Sequence, residues 1–272
     1  MPNDGGPVLA AGLPMTVLSD RPVKDARFVL PDRPYAGDRG PETGDRSPKP
    51  GERGVALIIA LLAMMLLSAL GMTLAVTTST ETRIAAAYGA GVEAFYGVDA
   101  AVERAVHDLS LVADWNQVLT GALTSSFVDG PAGPRALPNG SQLDLVEATA
   151  RVNCGKATCS LTDLNATTVD RPWGANNPRW QLYAHGDLAR LSPSGAINSR
   201  VYIVVWVGDD ALENDGQPLF DGDATGGANP GAGVLQLMAH AYGPAGTRRV
   251  VEATLGRADQ RIRVLSWREM RQ

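Results

Sequence analysis

Asp209, Asp210, Glu213, Asp215, Asp221 and Asp223 crowd into one Gly-containing stretch, DDALENDGQPLFDGDATG. Hard oxygen ligands gathered on a turn-rich segment suit Ca²⁺. Asp221, Asp223, Thr225 and Gly226 repeat the first half of an EF-hand loop, but the position that should carry its bidentate glutamate is Ala232. Two readings of the stretch therefore stay open, a calcium loop using Asp209, Asp210, Asp215, Asp221 and Asp223, or a solvated acidic turn. The same FDGDAT has the D-x-D-x-T spacing of an aspartate that accepts a phosphoryl group. That chemistry needs a buried parallel strand just before it, and here QPL precedes the motif.

Cys154 and Cys159 are the only cysteines, spaced C-x₄-C in VNCGKATCSL. No further ligands flank the pair, so metal binding is disfavoured, and a redox site would want C-x-x-C. A disulfide closing a small loop, or two free thiols, are the alternatives. His107, His185 and His240 are scattered, and none lies beside a nucleophile motif such as G-x-S-x-G. Five tryptophans, at 115, 173, 180, 206 and 267, read as core or interface residues. Net charge is −5 over 272 residues, with no basic run of the kind that grips nucleic acid. The terminal RIRVLSWREMRQ carries Arg261, Arg263, Arg268 and Arg271, either an edge strand with a solvated tail or a basic surface for an acidic neighbour.

The elements that must position these residues begin with VALIIALLAMMLLSALGMTLAV, Val55 to Val76, which carries no charge. A bilayer takes about 20 such residues, so residues 55–76 predict a transmembrane helix. Arg46, Lys49 and Arg53 precede it, which keeps that end cytoplasmic by the positive-inside rule, although Arg83 tempers the asymmetry. Residues 1–53 are rich in Pro, Gly, Asp and Arg without apolar periodicity, a composition that predicts disorder. Residues 77–112 lack proline, and Ile84, Tyr88, Val92, Phe95, Val102, Val106 and Leu109 recur at helical spacing. One helix of about 85 Å is expected, its second half amphipathic, with a kink allowed at Gly89, Gly91 or Gly97. Residues 124–141 read as a loop. Strands are expected over 143–153, 179–185, 200–207, 233–242, 247–255 and 261–267. VYIVVWV (201–207) should be buried on both faces, and YGPAGT (242–247) should close a hairpin. The fold class is α+β, a long N-terminal helix packed on an antiparallel β-sheet.

Glu52, Arg53 and Gly54 directly precede the apolar run, and the string from there through TTSTETRIAAAYGAGVEAFYGVDAAVERAVHDL resembles the N-terminal region of PilX-type minor pilins of type IV pili. The resemblance implies a leader, residues 1–54, cut by a prepilin peptidase between Gly54 and Val55. It also implies a helix whose membrane half (55–76) and amphipathic half (77–112) serve a β-rich extracytoplasmic domain, residues 113–272. Such a subunit sits in the inner membrane with its N-terminus cytoplasmic, then joins a pilus or pseudopilus. Its implied partners are other minor pilins, the major pilin, the prepilin peptidase, the inner-membrane assembly machinery and a large tip-associated adhesin; no catalysis is implied. Pilins usually carry Glu as fifth mature residue, where it pairs with a neighbour's free amine; here that position is Ile59. The departure resembles the K-type tip pseudopilins of type II secretion and points to an initiating or tip-proximal role. Some pseudopilins hold a structural calcium, which lends weight to the calcium reading of the acidic stretch. A single-pass anchored protein whose exported domain binds a ligand or performs hydrolysis is the alternative.

Overall fold

The computed structural model describes residues 52–191, 197–213, 216–222, 231–258 and 261–270. Residues 1–51, including nearly all of the expected leader, lie outside the described residues, as do Asp215, Asp223, Thr225 and Arg271. The chain divides into two units, Met1–Ala60 and Leu61–Gln272. In the first, the described part is helix.

That helix, α1, runs Glu52–Ser110 without a break, so none of Gly89, Gly91 and Gly97 interrupts it. In the second unit, α1 passes from fully exposed residues into the core at Ala90. The face it buries is the expected one at Val102, Val106 and Leu109 and differs from it nearer the N-terminus. Ala90, Ala94, Val98, Ala101, Val102, Ala105 and Leu109 are buried, whereas Ile84, Tyr88 and Val92 are exposed and Phe95 half-buried. Small residues win because they let the helix axis approach the sheet closely. At Gly97 a Cβ would stand 2.9 Å from Cγ1 of Val201, so any larger residue there must push the buried Val201 aside.

After α1 come the short helix α2 (Asn116–Leu119), the hairpin strands β1 (Pro134–Ala136) and β2 (Gln142–Asp144), α3 (Leu145–Cys154) and α4 (Leu161–Leu164). Residues 143–153 are thus almost wholly helical, and the expected strand there is corrected. Asp144 accepts from the backbone N–H of Val146 and Glu147 as an N-cap, Glu147 pairs with Arg151 one turn on, and Gly155 ends the helix at φ 76°. The signals of a capped helix outweigh an apolar alternation too imperfect to pin a strand.

Five antiparallel strands follow: β3 (Gln181–Asp187), β4 (Tyr202–Asp209), β5 (Val234–Tyr242), β6 (Arg248–Ala258) and β7 (Arg261–Met270), in spatial order β3-β4-β5-β6-β7. Antiparallel strands joined in sequence need no crossover, so a meander results. β5 and β6 pair from Tyr242↔Arg248 to Val234↔Gly256, closing the hairpin expected at 242–247. Every residue of β4 is buried, as its unbroken apolar run requires. On one face Ile203, Val205, Val207, Leu235, Leu237, Ala239, Val251, Ala253 and Leu255 meet the small-residue side of α1. On the other, Tyr202, Val204 and Trp206 lie beneath Leu145 and Ala148 of α3. Asn153 fixes α3 in place by exchanging two hydrogen bonds of 2.9 Å with the backbone of Trp180.

Candidate functional site

The N-terminal part of α1 is what no soluble core explains. Every side chain described from Gly54 to Gly89 is exposed, including Leu57, Ile58, Leu61, Leu62, Met64 and Met65. Among the described residues this is the one helix long and apolar enough to cross a membrane. Several of its threonines are reconciled with an apolar surrounding by the helix itself. Thr73 donates to the carbonyl of Ala69 (2.9 Å), Thr77 to that of Thr73 (3.0 Å) and Thr80 to that of Val76 (3.0 Å). With Thr82, which donates to the carbonyl of Thr78 (2.8 Å), these hydroxyls are satisfied within the helix. Gly54 and Val55 sit in the first turns of α1, and Ile59 is 61% exposed, an apolar side chain where an acid would put a charge on the helix surface.

Polar clamps hold the other half of α1 on the sheet. Glu93 accepts from the Ser199 hydroxyl (2.6 Å) and the Arg200 backbone N–H (3.2 Å). Arg257, from β6, donates to the carbonyls of Ala113 (2.8 Å) and Val112 (2.7 Å) just past the helix end, and its guanidinium lies 3.8 Å above the Trp115 ring. A cation there meets carbonyls left without helical partners and the negative end of the helix dipole. Asp108 takes the Ser125 hydroxyl and pairs with Arg104 (3.0 Å), tying the last turns to the segment that follows.

The acidic stretch separates by role. Asp209 and Glu213 are buried, and Asp209 is pushed up to about 9 by burial and by the Glu213 carboxylate beside it. The Asp210 side chain accepts from the backbone N–H of Leu212 (3.0 Å). Asp221 accepts from the backbone N–H of Gly233 (2.6 Å), and burial raises its pKa. Among the described residues no group of three His, Cys, Asp or Glu side chains converges as a metal would need. The strands around the stretch are antiparallel, which leaves the phosphoryl-acceptor reading without its parallel strand.

Cys154, at the end of α3, is joined to Cys159 by a disulfide, with Cα atoms 6.0 Å apart. His107 lies exposed in the last turns of α1. His240 is buried beside Tyr242 (3.1 Å) and Arg248 (3.2 Å), and burial, with Arg248 adding to it, pulls it down to about 3. His185 belongs to a network the sequence did not reveal. Asp129 receives Arg135 Nε at 2.8 Å, His185 Nδ1 at 2.8 Å and the Tyr202 hydroxyl at 3.0 Å. Burial works to raise the Asp129 pKa, but the hydrogen bonds from Arg135, Tyr202 and His185 outweigh it and the net shift is down. Burial lowers the His185 pKa against the pull of Asp129. No serine, threonine or cysteine is hydrogen-bonded to it among the described residues, and the cluster fastens residues 127–135 to β3 and β4. Its members stand 56 and 73 residues apart in the chain, with no motif to announce them.

Compared with known proteins, residues 53–103 match the PilX N-terminal family model. No curated protein and no solved structure matches the chain. The matched segment covers the exposed apolar part of α1 and its first buried turns, and there the chain is similar to PilX-type, type IV pilus-related pilins. With the antiparallel sheet that follows, the layout is pilin-like.

Proposed function

We propose that this pilus-related chain is a minor pilin that helps start type IV pilus assembly or sits near the filament tip. Residues 1–54 would be the leader, removed by a prepilin peptidase between Gly54 and Val55. The subunit would wait in the inner membrane with its start cytoplasmic and residues 113–272 exported. Other minor pilins, the major pilin, the assembly machinery and a large tip adhesin are its expected partners. It acts as a scaffold, as PilX pilins are structural proteins.

The observation that carries this reading is the uncharged surface of α1 from Val55 to Val76, with Ile59 among its exposed side chains. A helix apolar on all sides exchanges lipid for like helices with little change in solvation. A subunit entering behind another would bury that neighbour's amine unpaired unless it brought an acid, and a buried unpaired charge is costly. The first subunit has no predecessor, so it can dispense with the acid. Processing tests the reading directly. Expressed with a prepilin peptidase, the chain should lose its leader and yield Val55 at the new N-terminus by Edman sequencing, and Gly54→Val should abolish the cut. Unprocessed wild-type chain in the presence of an active peptidase would overturn it.

A further inference from the structure

The two edges of the sheet are treated differently. The outer edge of β3 is covered by the chain itself: Ser125 N–H donates to the carbonyl of Tyr183 (2.9 Å), His185 N–H donates to that of Phe127 (3.0 Å), and Val128 forms a parallel bridge to His185. On β7 no backbone hydrogen bond reaches the outer edge among the described residues. Alternate N–H and C=O groups of this strand therefore face outward, a ready template for another strand.

The side chains along that edge specify what can pair there. Register with β6 places Arg261 opposite Ala258, Arg263 opposite Gly256 and Arg268 opposite Glu252 on the face away from α1. Ile262, Val264, Trp267 and Glu269, opposite Arg257, Leu255, Ala253 and Val251, point to the α1 side. Arg268 is neutralised by Glu252 and Glu269 by Arg249, whereas Arg261 and Arg263 have no ion pair among the described residues. Trp267 rests edge-on against Phe95 at 5.9 Å yet stays 40% exposed, and Val264 is 45% exposed. A bulge at Leu265, between Thr254↔Ser266 and Leu255↔Val264, twists the edge, and Leu265 itself lies over Gly256, where a Cβ would stand 2.8 Å from its Cδ1. The bulge, Arg261 and Arg263 deter indiscriminate pairing, because a neutral or basic strand would leave the arginines unmatched or repelled.

We propose that β7 is a docking edge for an extended acidic strand of another polypeptide, one whose acidic residues face Arg261 and Arg263 while alternate apolar residues meet Val264 and Trp267. Positive charge on one face, without an ion pair among the described residues, and exposed apolar surface on the other demand that alternation, since successive side chains of an added strand fall on opposite faces. The inference goes beyond the filament reading and does not depend on it: an open edge accepts a strand whether or not the chain enters a pilus.

Hydrogen–deuterium exchange on the full chain in zwitterionic nanodiscs tests it, with a roughly ten-residue peptide of alternating Glu and Val as probe, the length of an ordinary strand. The peptide should slow exchange in β7 by about tenfold or more while leaving β3 unchanged. A Lys–Val peptide of the same length should not. The double variant Arg261→Glu/Arg263→Glu should bind the Glu–Val peptide about tenfold more weakly and prefer the Lys–Val peptide. Equal protection by both peptides on the wild-type chain would overturn the proposal even if the variant did not fold, as would protection of β3 and β7 alike. Protection of β7 that rises with protein concentration alone would assign the edge to a second copy. Protection that appears only with anionic lipid would assign it to the membrane. Either would replace the acidic strand.

Discussion

Arg257 shows how much one side chain can be asked to do. It answers two carbonyls beyond the end of α1 and stacks on Trp115, which is itself buried and donates from Nε1 to the carbonyl of Leu109 (3.3 Å). Arg257→Ala removes a charged donor from carbonyls with no other partner among the described residues and should lower stability by about 2–3 kcal/mol in urea denaturation. Lysine cannot reproduce the planar fork and should recover only part of that loss. Asp209 makes an opposite contribution. Its folded pKa, about 9, lies above its unfolded value, so the native state keeps a proton that the unfolded chain releases. Stability from this group is fully present below about pH 4 and is lost as pH rises toward 9. The wild-type urea midpoint should fall from pH 5 to pH 9, and Asp209→Asn, which cannot ionise, should show a shallower fall. A wild-type midpoint that rose over the same interval would mean the Asp209 carboxylate is charged in the folded state.

At the scale of elements, α1 is one helix with two surfaces. Its exposed apolar part needs only length and uniform hydropathy, while its packed part depends on side-chain size. The close approach at Gly97 makes this testable: Gly97→Val sets branched carbons against Val201 and Leu188 and should destabilise the packed unit by about 1–3 kcal/mol, read as a lower thermal midpoint. The same substitution at Gly89, where a Cβ meets nothing within 4 Å, should change the midpoint little. α3 illustrates the second kind of dependence. Its ends are written locally by Asp144, Glu147 and Gly155, but its place over Trp206 comes from Asn153 reaching Trp180 and from the Trp206 indole donating to the Thr149 hydroxyl (2.8 Å).

For the whole molecule, the decisive asymmetry is between a helix segment that wants lipid or its own kind and a sheet with a complete core. Under the proposed function, the absence of an acid at Ile59 would tie that asymmetry to position in a filament. If the chain initiates assembly, immunogold labelling should find wild-type subunits at one filament end. Ile59→Glu, which restores the charge partner, should let subunits enter along the shaft. Wild-type labelling distributed along the shaft would remove the tip-proximal role while leaving the pilin character intact.

The sequence alone determined what depends on local pattern. An uncharged run from Val55 to Val76 has no stable place except lipid or other helices, the continuous apolar stretch of β4 admits only a strand covered on both sides, and YGPAGT between two alternating segments closes a hairpin. Tertiary structure decided what depends on distance in space. Which side of α1 is buried turned on how near the sheet comes at Gly97, so Ala94 and Ala101 displaced Ile84 and Tyr88 from the packed face. The 143–153 segment became a helix because a cap and a docking partner outweighed a weak alternation, and that partner, Trp180, lies 27 residues from Asn153. The Asp129–Arg135–His185–Tyr202 network and the bare edge of β7 exist only once strands are ordered side by side. Hydrophobic run length is a property of neighbours along the chain, whereas close approach, buried charge pairing and a free sheet edge belong to residues that only folding brings together.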